Sequence, residues 1–336
     1  MAPIHLVFPM KPSQQSFLSN VESQIISSLA WDKEASWSDR PALAAAAQHL
    51  CMAPGAKRAR PKLCYFFGLA VEADFDLLVD IATTGEFIHG ASLIHDDVID
   101  CGTLRRGAPT VNAKWDNITA VLAGDLLLAE SIKGLHRCPR SIAQEALEVV
   151  AEMTRATMLE AHIRGSTNVP ILQWEYIAQG KTSSMFRWCG RSTACTAQDT
   201  EAMERFGQFG EHFGIAFQMA DDLLDIRPTD SGKTPFADIR NKNPSYPLIL
   251  AQNLSDDFRT ALSKAWARPI MEEEEIYELG QYVIATGAAA QTRDIIEQRI
   301  NQAIEALGPY VDRPGCREIA LWVRNICKSL PQSEAV

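Results

Sequence analysis

The sequence predicts an all-α protein, a single large helical domain, on three observations. Apolar residues recur at helical spacing along nearly the whole chain. No run of consequence alternates apolar and polar residues as a half-buried strand would. Proline and glycine punctuate the periodic segments at intervals of helix length.

Residues 1–13 hold three prolines and little periodicity, and read as an N-terminal arm ahead of a helical domain over 14–330. Phe17, Leu18, Val21, Ile25, Ile26 and Leu29 predict a helix over about 14–30. Pro41 suits the first turn of a helix ending at Cys51, and Pro61 that of the next, which follows a break at Pro54 and Gly55. Helices are then expected over 62–71 and 75–100. Further ones follow at 118–135, 141–164, 171–179 and 181–195, with breaks near 107–110, 137–140, 165–170 and Gly180. A long helix over 199–226 ends before Pro228. The polar, Pro- and Gly-containing stretch 227–247 reads as a long loop acting as a functional lid. From Leu248 the pattern is helical again, broken at 253–255, 268–269, Gly287 and 308–315. The acidic run Glu272–Glu275 reads as a solvated helix N-terminus.

With 336 residues, 46% of them hydrophobic, the chain can bury a large core. A formal net charge of −10 argues against a general nucleic-acid binder. Any anionic substrate must be drawn by local basic groups and metal, against the overall field. The eight cysteines show no metal-ligand spacing, which fits reduced thiols in the cytoplasm. The N-terminus lacks the pattern of a signal peptide, and no run approaches the ~20 apolar residues of a membrane span. Membrane contact is expected to be peripheral at most.

Charge gathers at the end of the 75–100 helix. Asp96 and Asp100, four apart, share a face with Cβ atoms about 5–6 Å apart, and Asp97 sits roughly 100° round the helix. Such a cluster repels itself unless a cation takes up the charge, and hard oxygen ligands beside phosphate suit Mg²⁺. Arg105 and Arg106 follow in a turn bracketed by Gly102 and Gly107. Asp221, Asp222 and Asp225 repeat the spacing near the end of the 199–226 helix. One such triplet is a weak signal. Two, each ending a long apolar helix and each followed by basic residues, point to a Mg²⁺–diphosphate site; packed side by side they would put six carboxylates around one cavity mouth.

From about Pro54 to Pro247 the sequence resembles the trans-isoprenyl diphosphate synthases, the polyprenyl synthetase family, in five ordered blocks. GAKRARP (55–61) is similar to the family's Gly-Gly-Lys-Arg-x-Arg-Pro. HGASLIHDDVID with LRRG (89–107) resembles its first Asp-rich motif. AGDLLLA (123–129), the Lys181–Thr182 pair and FQMADDLLD (217–225) resemble the helix that follows, the lysine–threonine pair and the second Asp-rich motif. The resemblance implies a single-domain isoprenoid synthase helical bundle around a central apolar cavity, and typically a homodimer. It implies Lys57, Arg60, His89 and Arg106 as contacts to isopentenyl diphosphate, and Arg105, Lys181, Thr182 and Gln218 as contacts to an allylic diphosphate. Asp96 and Asp100 on one side and Asp221 on the other would hold Mg²⁺, three ions per active site. Asp97, Asp222 and Asp225 would assist directly or through water. The implied catalytic set is Asp96, Asp100, Arg105, Lys181 and Asp221, which stabilise charge on the departing diphosphate with no side-chain nucleophile or general base.

The chain departs from the family after the second motif. Asn243 stands at the usual loop lysine and Lys242 at the usual glycine; Lys242 and Lys233 are the remaining phosphate-binding candidates there. Around Glu160 the chain reads LEAHIRG where many members have Gly-Glu-x-x-Gln. His95 reads as structural, Cys101 as a packing residue, and Arg58 equally as solvated or functional. Trp115, Trp174, Trp188 and Trp322 read as core or interface residues. Ala91 and Ser92 lie about one turn before Asp96, roughly 6 Å deeper, and both are small. With no aromatic floor there, the product is expected to be C20 or longer. A class I terpene cyclase and a non-catalytic regulatory subunit are the alternatives. The GAKRARP block, suited to a second diphosphate, weighs against the first, and two intact Asp triplets against the second.

Overall fold

The computed structural model describes residues 11–30, 40–226, 235–328 and 330. Most of the expected N-terminal arm, and Lys233 with the first part of the expected lid, lie outside the described residues. The chain divides into two compact units: one runs to Arg140 and adds Thr193–Asp199, the other takes Ser141–Ser192 and the chain from Thr200 onward.

The first unit contains α1 (Gln14–Ser28), α2 (Arg40–Cys51), α3 (Ala59–Val71), α4 (Phe75–Ile99), β1 (Leu104–Arg105), β2 (Ala108–Pro109), α5 (Val111–Lys114) and α6 (Asn117–Gly134). Its axis is α4, which packs on α1, α2, α3 and α6. Asp74 caps its start by accepting from the N–H groups of Asp76 and Leu77 at 2.9 and 3.4 Å. By length and composition α4 could cross a membrane, but 78% of its apolar window is buried within the protein, which is the burial of a core helix. Close packing of α4 on α6 relies on small residues. A Cβ at Gly124 would lie 2.2 Å from the His95 ring, and one at Gly90 would lie 3.2 Å from Leu127. His95 is thus structural, its Nε2 3.1 Å from the Val121 carbonyl. The buried Asp80 on α4 accepts from Gln24 of α1 at 2.7 Å and from Arg137 at 2.8 Å.

The second unit contains α7 (Arg140–Ile163), α8 (Ile171–Ala178), a π-helical turn (Gln179–Ser183), most of α9 (Ser184–Thr196) and α10 (Thr200–Ile226). It continues through α11 (Ala237–Arg240), α12 (Tyr246–Leu254), α13 (Asp256–Trp266), α14 (Glu273–Ala285) and α15 (Ala288–Ala306) to a 3₁₀ turn (Gly308–Tyr310) and α16 (Cys316–Lys328). Ion pairs tie α9 to α7: Arg187 donates to both Glu152 oxygens at 2.9 and 2.8 Å, and Arg191 to Glu145 at 3.0 Å.

Three local expectations are corrected. Gly180 does not break the helix: the chain passes from α8 into α9 through the π turn, and Gly180 serves close approach, since a Cβ there would be 2.7 Å from Ala156 Cβ on α7. The 227–247 stretch is not loop throughout, because α11 forms within it and α12 begins at Tyr246. Cys101 does not pack: it is exposed and holds φ +53° where α4 turns off. The acidic run does lie at a helix start, with Glu273, Glu274 and Glu275 in the first turn of α14.

Candidate active site

At the end of α4 the aspartates divide by environment. Asp96 is half-buried and Asp100, the C-cap, is exposed, whereas Asp97 is buried. Asp97 is held by Arg105, which donates from Nε to its two oxygens at 3.1 and 2.9 Å and from its terminal nitrogen at 2.7 Å. Both arginines ride on the β1–β2 hairpin. Arg106 (φ +53°) and Gly107 (φ +76°) are its two turn residues, the positive-φ pair of a type I′ turn. Thr110 and Asn112 donate to the Gly102 carbonyl at 2.8 and 3.0 Å and fix the hairpin's base.

His89 sits two turns before Asp96 on α4. Burial, then the positive charges of Arg60, Arg106, Arg105 and Arg58, hold its pKa well below the ordinary imidazole value. It is therefore neutral and has one N–H to offer an anion. Lys57 is exposed and Arg60 buried at the start of α3. Arg58 is neither solvated nor placed to meet a ligand. It is 8% exposed and donates to Glu86 at 2.5 Å, to the Cys51 carbonyl at 2.8 Å and to Glu22 at 3.3 Å. One consequence is measurable. The unfolded chain takes up a proton at His89 below about pH 6.5 and the native state does not. Stability from this group is therefore present above that pH and lost as pH falls. In urea titrations at pH 7.5 and 5.5, wild type is expected to lose more stability than His89→Asn.

The second triplet shows the same division. Asp221 is exposed and Asp225 half-buried, while Asp222 is buried. Asp222 accepts from Trp174 Nε1 and the Tyr246 N–H, each at 3.0 Å, and from Gln218 at 2.9 Å. Gln218 in turn accepts from the Thr182 hydroxyl at 2.7 Å. Burial, opposed by those hydrogen bonds and reinforced by Asp221, pushes Asp222 up to about 7. Asp225 caps α11, accepting from the N–H groups of Ala237 and Asp238 at 3.0 and 2.9 Å. Asp238 is raised well above the usual carboxylate range by burial and by Asp225 and Asp222.

Lys181, in the π turn, is paired with Glu160 of α7. Both line a hollow with Trp174, Gln218, Asp222 and Asn243. Lys242 takes a left-handed backbone (φ +56°), and its ammonium donates to the Trp266 and Arg268 carbonyls at 2.8 and 2.5 Å, at and just beyond the end of α13. To meet a phosphate it would have to leave them. Asn243, at the usual lysine, instead donates to Asp238 at 3.0 Å. Ala91 is 1% exposed, whereas Ser92 is half-buried and donates to the His89 carbonyl at 2.9 Å.

Sequence reasoning missed Glu86, the pairing of Glu160 with Lys181 and the Trp174–Asp222 bond. A carboxylate inside the apolar run GEFIHG was a usable signal for Glu86, because buried charges are paired. Nothing in the sequence marked Trp174 as more than a core or interface residue.

The donor sets fit a divalent cation. In each triplet the middle carboxylate is buried and held by neighbouring groups while the first reaches solvent; of the third aspartates, Asp100 is exposed and the half-buried Asp225 also caps α11. Asp222 and Asp238 are raised partly by neighbouring negative charge that a cation would offset. Among the described residues no three ligating side chains are close enough to hold an ion alone, so further oxygens would come from water and substrate phosphates.

Each of the two Asp-ended helices has a basic group near it, Arg105 at Asp97 and Lys181 in the hollow with Asp222. The polyprenyl synthetase family profile matches residues 40–283, and the chain belongs to that family. It is 31% identical over 273 residues to the nonaprenyl diphosphate synthase of Mycobacterium tuberculosis, covering 80% of this chain and 82% of that one. It is 29% identical to heptaprenyl diphosphate synthase component 2 of Geobacillus stearothermophilus, with coverage of 84% and 89%. The fold is that of a decaprenyl diphosphate synthase from Rhodobacter capsulatus (TM-score 0.87, 24% identity, 95% and 97% covered). It is also similar to a Caulobacter crescentus polyprenyl synthase complexed with calcium and isoprenyl diphosphate (TM-score 0.86, 25% identity, 94% and 96% covered).

Proposed function

We propose that this prenyltransferase condenses isopentenyl diphosphate with an allylic diphosphate, in the presence of Mg²⁺, to give an all-trans polyprenyl diphosphate of C20 or longer. The observation that carries the reading is the paired Asp triplets, each with its first aspartate reaching solvent and a cationic side chain close by. Asp96, Asp100 and Asp221 would hold Mg²⁺, with Asp97, Asp222 and Asp225 supporting the two helix ends. The metal supplies positive charge for a departing diphosphate. Lys181, with Thr182 and Gln218, binds the allylic diphosphate and stabilises charge as the C–O bond breaks, and Arg105 adds to this on leaving Asp97. Lys57, Arg60, Arg106 and neutral His89 hold isopentenyl diphosphate so that its double bond meets the allylic carbon. Incubation with Mg²⁺, isopentenyl diphosphate and allylic primers of each length, followed by sizing of products, tests the reading. No condensation with any primer would sink it.

The relatives' names, nonaprenyl and heptaprenyl, support a long product. Ser92, more open than the buried Ala91, is the better place to install a floor. Ser92→Phe is expected to shorten the product by at least one C5 unit in the same sizing assay. The protein is read as a cytoplasmic homodimer, with Ile118, Val121 and Leu122 exposed on α6 as apolar surface for a second copy. The component 2 relative makes a different partner chain the competing arrangement. Sedimentation of the pure protein, alone and as Ile118→Asp, distinguishes them.

A further inference from the structure

Arg58 and Glu86 form a buried pair whose construction goes beyond holding two helices together. Arg58 is the residue before α3 and takes a left-handed backbone, φ 48° and ψ 41°, with no side-chain cap. A non-glycine residue pays for that conformation, and it persists only where the surroundings over-determine it. Here they do. The guanidinium fork reaches Glu22 on α1, the Cys51 carbonyl at the end of α2 and Glu86 on α4, at 3.3, 2.8 and 2.5 Å. Three elements are therefore tied to one side chain in the segment that joins α2 to α3.

The neighbours of that side chain are the basic groups assigned to isopentenyl diphosphate. Lys57 precedes it and Arg60 follows two residues on. Glu86 lies three residues before His89, on the same face of α4. Glu86 also acts on Arg106, whose charged form it favours against burial and the repulsion of Arg105 and Arg58. Glu86 thus places one negative charge among several cations, and Arg58 fixes where that charge sits. We infer that Arg58, locked by Glu86, is the positioning residue of the isopentenyl diphosphate site: it sets the α2–α3 segment so that Lys57, Arg60 and His89 converge on one diphosphate, without touching the substrate itself.

The inference rests on the prenyl-transfer reading above, and the test separates the two. Arg58→Lys keeps the charge but not the planar fork, so it cannot serve three acceptors in separate directions. Glu86→Gln keeps the size and an acceptor oxygen but removes the charge, and serves if Arg58→Lys does not fold. Steady-state kinetics with Mg²⁺ are run with each substrate varied, alongside calorimetric titration of isopentenyl diphosphate into metal-free protein and thermal melting. The expected result is an isopentenyl diphosphate KM raised about tenfold, as for a misplaced binding group, with a parallel loss in the titration. The allylic KM and kcat should stay within about twofold of wild type. Unchanged isopentenyl diphosphate KM and affinity in a folded variant overturn the inference. So does an equal rise in both KM values, which a general loosening of the fold would give. Wild type that binds isopentenyl diphosphate but transfers nothing overturns the prenyl-transfer reading alone, and the titration still judges Arg58. Wild type that neither binds nor turns over overturns both.

Discussion

Asp96→Asn and Asp221→Asn are each expected to lower kcat by about 10³-fold or more, the scale on which a principal charge-stabilising group acts, while leaving the thermal melt close to wild type. Both changes are isosteric and neither residue is buried, Asp96 being half-buried and Asp221 exposed. The loss should therefore be chemical, not structural, and raising Mg²⁺ should recover part of it. The middle aspartates provide the contrast. Asp97 is engaged on both oxygens by Arg105. Asp97→Ala is expected to cost stability on the order of 2 kcal/mol as well as activity, less than a wholly buried pair because Arg105 keeps 29% side-chain exposure. If Asp96→Asn melts like Asp97→Ala, or retains activity within tenfold of wild type, the division between metal-facing and protein-facing carboxylates is wrong. Urea denaturation and single-turnover rates on the same preparations decide it.

That division could not be read from the chain. Asp-Asp-x-x-Asp gives the i, i+4 pair and hence a shared face, but which carboxylate the protein keeps depends on what packs beside it. Arg105 is eight residues away, on the β1 strand that follows α4, while Trp174 reaches Asp222 from 48 residues away. The helices themselves were legible because apolar periodicity and proline or glycine breaks are local: α4 and α10 lie within a residue or so of their expected limits. Glycine was the signal with two meanings. Gly287, at φ +80°, does end a helix as expected, whereas Gly180 lies inside continuous helix where two backbones come close. A sequence pattern cannot tell those uses apart without the neighbour. Lys242 is a similar case: its positive charge suggested a phosphate ligand, and the Trp266 and Arg268 carbonyls that occupy it come from more than twenty residues on.

The same ambiguity hides the glycines expected to matter most for stability. Gly210 and Gly214 face the backbone of the 183–187 segment from one side of α10. A Cβ at Gly210 would lie 2.5 Å from Arg187 N and from the Phe186 carbonyl carbon and oxygen; at Gly214 it would lie 2.4 Å from Ser183 Cα. Backbone cannot swing aside as a side-chain tip can, so the helices must separate. Gly210→Ala is expected to destabilise by about 2–4 kcal/mol, at or above the usual range for overpacking, despite alanine's helix preference of about 1 kcal/mol. Gly207→Ala meets side-chain carbons alone, those of Arg191 at 3.0 and 3.2 Å and of Arg187 at 3.8 Å. It should stay within about 1 kcal/mol of wild type, because those carbons can shift and alanine favours the helix. Gly214 adds a functional consequence. It lies one turn before Gln218, and Ser183 is next to Thr182, so prising them apart stretches the 2.7 Å Thr182–Gln218 bond. A Gly214→Ala protein that still folds at low temperature should therefore show a raised KM for the allylic substrate with an unchanged KM for isopentenyl diphosphate. Equal effects on both substrates would mean that the contact supports the fold alone.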